Sequence, residues 1–166
     1  LESALKRFKR SCQKDGVKIV MNCEVTPELI KEEKPDSVII ATGSKTLILP
    51  IEGIDNPAII HGSDLLDGKR AAGKKVLVVG GGMVGCETAA FLGEQEHDVT
   101  VIEFRDTVGA DVIHEHRVYL MKDFEDYGIK EITGAKVCKF YEDGVEYETA
   151  DGVRHESRGY DSVILS

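Results

Sequence analysis

The 166 residues predict a three-layer α/β fold: a parallel sheet, helices packed over it, and an antiparallel β-meander attached to it. Three observations carry that prediction. β-Branched runs at 75–79 and 98–103 alternate with apolar helical stretches, and successive strand–helix–strand steps demand parallel strands. A cluster of glycines, Gly80, Gly81, Gly82 and Gly85, falls where the first of those strands runs into its helix. Asp143-Gly144 and Asp151-Gly152 then punctuate short alternating segments, the signature of hairpins whose turns need left-handed backbone angles.

Taken in order, Leu1, Leu5, Phe8 and Cys12 form one stripe, and Lys6, Arg7, Lys9, Arg10 and Lys14 surround it. This is an amphipathic helix, which Asp15-Gly16 ends. Residues 17–21 read as a short strand. Thr26 caps a brief helix with Pro27 in its first turn, where the missing N–H costs nothing, and Lys34-Pro35 closes it. Residues 36–41 read as a buried strand opening into Thr42-Gly43. Pro50, Gly53, Pro57 and Gly62 mark a turn-rich link over 44–72, with at most a short helix near 63–66. Strand 75–79, helix 83–93, strand 98–103, a helix over about 111–127 and strand 129–132 follow. Segments 136–141, 145–149 and 153–157 make the meander, and 160–165 is a final buried strand. Asp36-Ser37-Val38-Ile39 and Asp161-Ser162-Val163-Ile164 repeat one another. The repeat points to an incomplete outer domain, 1–70 with a return strand at 158–166, around an inserted domain at 71–157.

The glycine cluster has the form of a dinucleotide-binding turn, so the inserted domain is Rossmann-like. Gly80 sits at the tight turn, Gly81 and Gly82 bring the backbone against a pyrophosphate, and Gly85 makes room for close helix–strand contact. The helix start at Met83 and Val84 offers free N–H groups and a positive dipole end to phosphates. Glu103 ends the second strand roughly 20 residues after the fingerprint begins, where an acid accepts hydrogen bonds from the adenosine ribose. Its unpaired charge repels a 2′-phosphate, which favours NADH. Arg105, two residues on, can swing over a phosphate and keeps NADPH open.

A net charge of -9 argues against a nucleic-acid partner, which would need a basic footprint. No run approaches a membrane span and no signal peptide precedes the first helix, so a cytoplasmic protein is expected. Cys12, Cys23, Cys86 and Cys138 show neither a C-x-x-C pair nor metal spacing, and Cys86 reads as packed rather than nucleophilic. His114-Glu115-His116 is not a metal motif, because residues two apart on a helix face different ways. His61, His97 and His155 sit near turns and are expected to be exposed. No metal site and no catalytic side chain are expected, and self-association stays open.

These same stretches carry a resemblance: 22–30, 35–43, 80–87, and the run from Val108 to Asp111 continuing at His116 to Met121. The chain resembles the C-terminal, pyridine-nucleotide–disulfide-type module of the NADH:flavin oxidoreductases related to 2-enoate reductase and 2,4-dienoyl-CoA reductase. The resemblance implies an FAD-type Rossmann-like domain, incomplete here, into which the NAD(H) domain is inserted. Ala41, Thr42 and Gly43 then match a strand end near FAD, and Glu87 an acid near the nicotinamide; alternatively, Glu87 is a solvated helix acid. The resemblance further implies a missing TIM barrel of the same polypeptide, with FMN and a 4Fe-4S cluster. There, electrons from NADH by way of FAD would reduce an activated C=C bond. On that view the chain is a fragment, inactive alone and holding NAD(H) only. Other readings are an NADH oxidase or ferredoxin reductase with the same paired domains, a nucleotide-binding module without turnover, and a Rossmann unit used only structurally.

Overall fold

The computed structural model describes residues 2–43 and 48–166. Leu1 of the first stripe and the opening of the link at residue 44 lie outside the described residues. Two units form, Leu1–Ser44 and Lys45–Ser166.

In the first unit, α1 (Glu2–Lys14) ends at Gly16, whose φ of +71 supplies the left-handed exit. Helix α2 (Pro27–Glu33) starts as its sequence dictates: the Thr26 hydroxyl accepts the Leu29 N–H at 3.3 Å, and Lys34 closes it in a left-handed conformation. The strands expected at 17–21 and 36–41 do not form, and their apolar residues stand exposed, Ile39 at 90%. A strand needs a neighbour for its N–H and C=O groups, and no described segment pairs with either.

The second unit begins with β1 (Ile60–His61), a strand not foreseen in the link, and the five-residue helix α3 (Gly62–Leu66). Then come β2 (Lys75–Val79), α4 (Met83–Glu94), β3 (Asp98–Ile102), α5 (His114–Asp126) and β4 (Lys130–Ile132). The meander is β5 (Ala135–Tyr141), β6 (Gly144–Thr149) and β7 (Arg154–Ser157), and β8 (Ser162–Leu165) follows it. The main sheet runs β1-β8-β2-β3-β4, and every pairing in it is parallel.

Alternation along β2 builds the three layers. Val76 and Val78 join Cys86, Ala89, Leu92, Leu120 and Phe124 beneath α4 and α5. Leu77 and Val79 face the other way, onto Ala135, Phe140 and Val145 of the meander. Because both faces are covered, the strands read as continuous apolar runs.

Strand β8 returns beside residues 60–61 of the link. It lies between β1 and β2, with Leu77 opposite Val163 and Ile60 opposite Ile164. The repeated Asp-Ser earns its place there: Asp161 Oδ2 accepts the Lys75 N–H at 2.7 Å, and Ser162 Oγ accepts the Gly73 N–H at 2.9 Å. The link likewise belongs with the second unit, where Ile59 and Ile60 are buried in its two cores.

Helix α4 reaches the sheet through Gly85, where an added Cβ would collide with the Gly80 carbonyl. Next to it, Cys86 is fully buried, its thiol donates to the Gly81 carbonyl at 3.3 Å, and burial pushes its pKa up to about 11. Two outcomes follow from this packing. Gly85→Ala should cost about 1–3 kcal/mol or more in a urea titration, because backbone cannot yield as a flexible side chain would. The folded state holds the Cys86 proton more tightly than the unfolded chain, so stability should fall as pH climbs from about 9 towards 11. Urea midpoints measured across that range should show a slope that Cys86→Ser reduces.

Candidate nucleotide-binding site

The site lies at the carboxyl ends of β2 and β3, which stay in register from Lys75↔Asp98 to Val79↔Ile102 and therefore stop side by side. Gly80 leaves β2 with φ of +104, a conformation open to glycine, and donates its N–H to the Ile102 carbonyl at 2.9 Å. Gly81 is held on both sides. Its N–H donates to Glu103 Oε2 at 2.6 Å, and its carbonyl accepts the Gly109 N–H at 2.6 Å as well as the Cys86 thiol. Gly82 is the N-cap of α4. With no side chain to satisfy the first turn, the N–H groups of Gly82, Met83, Val84 and Gly85 find no acceptor among the described residues.

Glu103 is only partly exposed and uses both carboxylate oxygens. Besides Gly81, it accepts the Arg105 N–H on Oε1 at 2.8 Å, so its charge is fixed at the mouth of the turn. Beyond it opens a cavity of about 500 Å³ whose lining includes Phe104, Arg105, Asp106, Gly134, Lys136 and Glu148. Arg105 and Lys136 there are balanced by Asp106 and Glu148, so the cavity carries no net cationic demand for an extra phosphate.

The segment between β3 and α5 forms a wall not foreseen from the sequence, where a helix was expected from residue 111. Helix α5 starts at His114, and before it Val108 is 1% exposed, pressed against Gly81, while Gly109 adopts φ of +64. Asp111 stands beside the turn, its Oδ2 3.2 Å from where a Cβ on Gly82 would project. His116 Nε2 lies 3.3 Å from Glu87 Oε1 across α4 and α5, both side chains about half exposed. Among the described residues no cluster could hold a metal ion.

Sequence reasoning also missed His61. His155 is exposed and His97 bonds the Gly73 carbonyl at 2.7 Å, but His61 Nδ1 is buried without a partner at the end of β1. Ser166 Oγ, at the end of β8, is buried and unpartnered too. Nothing local in the sequence marks these two, because the strand pairing that buries them joins segments about a hundred residues apart.

The structure thus brings together Gly80, Gly81, Gly82, Met83, Val84, Gly85, Glu103 and Arg105, with Glu87 further along α4. Ala41, Thr42 and Gly43 belong to the first unit, where all three are exposed. The residues present fit a nucleotide pyrophosphate: unpaired donors converge at a helix start, the glycines of the turn bring no side chains of their own, and the carboxylate of Glu103 is fixed beside them.

The chain is 36% identical over 125 residues to a bilirubin reductase of Mediterraneibacter gnavus, covering 75% of this chain and 20% of that protein. It is 33% identical over 153 residues to an NADH oxidase of Thermoanaerobacter brockii, covering 90% and 24%. Among solved structures, a 2-naphthoyl-CoA reductase matches with a TM-score of 0.77 and 33% identity, over 96% of this chain and 24% of that one. The chain therefore spans about a fifth to a quarter of the length of these relatives. The profile of the pyridine nucleotide-disulphide oxidoreductases matches residues 6–166, and the chain belongs to that family.

Proposed function

We propose that this chain is the nicotinamide-nucleotide-binding part of an NAD(P)H-dependent flavoprotein reductase. The observation that carries it is the set of unpaired N–H donors at the start of α4, beside the fixed carboxylate of Glu103. Bound there, NADH supplies a hydride for reduction of a flavin. The chain's own residues bind and orient it. Gly82, Met83 and Val84 donate to the pyrophosphate, and Glu103 accepts from the ribose hydroxyls. The cavity bordered by Phe104 and Lys136 takes the adenine. Glu87, on the exposed side of α4, is the acid assigned to the nicotinamide end, and Ala41, Thr42 and Gly43 are assigned to the flavin side.

A second, finer reading passes electrons from NADH through FAD, a 4Fe-4S cluster and FMN to an activated C=C bond in a TIM barrel elsewhere in a longer polypeptide. What favours it is the 33% identity to 2-naphthoyl-CoA reductase and the 39% identity over 108 residues to a cinnamate reductase of Clostridium sporogenes. An NADH oxidase is supported by the relative of that name. Flavin and iron content of the full-length protein separates the two.

Calorimetric titration of the chain with NADH and NADPH tests nucleotide binding directly. NADH should bind more tightly, and Glu103→Gln should narrow the preference by about tenfold through the loss of one repelling charge. No binding of either nucleotide to the folded chain would refute the reading. Asp111→Asn should tighten NADH several-fold, about what one nearby charge contributes in partly screened surroundings, and the gain should shrink at high salt. Unchanged affinity at every salt concentration would show that Asp111 does not sense the phosphates.

A further inference from the structure

Arg117 is partly buried on α5, in a chain with nine more negative than positive charges, yet it makes no ion pair among the described residues. Its Nη2 instead donates to the Thr107 hydroxyl at 2.9 Å and to the Val108 carbonyl at 3.1 Å, and the Thr107 hydroxyl donates in turn to Val108 at 3.3 Å. Spending a guanidinium on two neutral acceptors makes sense if the backbone it holds matters. That backbone is the wall of the site: Val108 is buried against Gly81, and the next residue, Gly109, donates its N–H to the Gly81 carbonyl.

In a trans peptide the carbonyl and the following N–H point in opposite directions. Anchoring the Gly81 oxygen towards Gly109 and Cys86 therefore aims the Gly82 N–H the other way, out of the packed interior and onto the side where α4 begins. From this chain of contacts we infer that Arg117 is a positioning residue for the nucleotide turn, acting through Thr107, Val108 and Gly109 to set the direction of the Gly82 N–H donor. The inference deepens the nucleotide reading and rests on it for its functional meaning. The relay itself is a property of the ligand-free chain.

The two can be tested apart. ADP, which carries the adenosine and diphosphate but no nicotinamide, is the binding probe. Arg117→Gln should weaken ADP about tenfold, and Arg117→Lys should restore part of the loss, since an ammonium still donates to both acceptors. Thr107→Val should cost less, and combined with Arg117→Gln it should add almost nothing, because both break one path. In the ligand-free chain, Arg117→Gln should speed amide exchange at Gly109 and shift the Gly82 amide resonance, leaving β5–β7 protection unchanged. A role confined to stability would lower protection everywhere alike. Wild-type ADP affinity in Arg117→Gln, or an unmoved Gly82 amide, would overturn the relay. Should the wild-type chain bind no ADP, the nucleotide reading fails, and the Gly109 and Gly82 amides still decide the relay. If Arg117→Gln does not fold, Thr107→Val and Arg117→Lys carry the same readouts.

Discussion

Everything in the second unit depends on how closely α4 can approach the end of β2. The contact is between backbones: Gly85 lies so near the Gly80 carbonyl that no side chain fits between them. That approach brings the start of the helix beside the strand ends, lets Cys86 reach the Gly81 carbonyl, and seats Ala89 and Leu92 on Val76 and Val78. Dispersion and apolar burial along that seam hold the helix down. The electrostatic consequence appears at the helix's upper end, where donors that would otherwise be hydrated are presented in a fixed direction beside buried surface.

The charges around those donors are arranged with economy. Glu103 is held by two N–H groups rather than by a cation, so its negative charge survives while its position is fixed. Arg117 is used in the mirror-image way, a cation satisfied by neutral oxygens. Such charge-assisted bonds to uncharged partners are stronger than neutral ones, and they leave the field of the charged group largely uncancelled. The Glu87–His116 pair is different, half in water and worth correspondingly little to stability.

Legibility followed the range of the interactions. Gly80, Gly82, Gly85 and Glu103 could be read because one local unit, strand–turn–helix–strand, imposes a fixed spacing on them. The meander was readable through its Asp-Gly turns, and the Thr26 cap and Gly16 exit through short-range backbone chemistry. What failed was non-local. Residues 17–21 and 36–41 have strand-like composition but no described partner, and composition alone does not reveal the partner. Ile60 and His61 are too short a run to show a period, and they become a strand only because Ile164 and Leu165 lie beside them. Of the two Asp-Ser-Val-Ile copies only the second becomes a strand, because β1 and β2 lie on either side of residues 162–165. Arg117 sat in a helical pattern with nothing to distinguish a surface arginine from a latch.

The position of β8 has a consequence for how the unit assembles. It lies between β1 and β2, so the sheet has a gap one strand in from its edge until residues 162–165 arrive, long after the residues on either side have been made. Before then β1 has no strand to pair with, and β2 offers an open, apolar edge. Closing that gap joins segments separated by most of the unit's length, the kind of pairing whose loop entropy must be met before any contact rewards it. Folding of this unit should therefore be slow relative to its size and cooperative at its end. An unfinished chain emerging from the ribosome would expose the edge of β2, the place where a chaperone or a second nascent chain would first take hold.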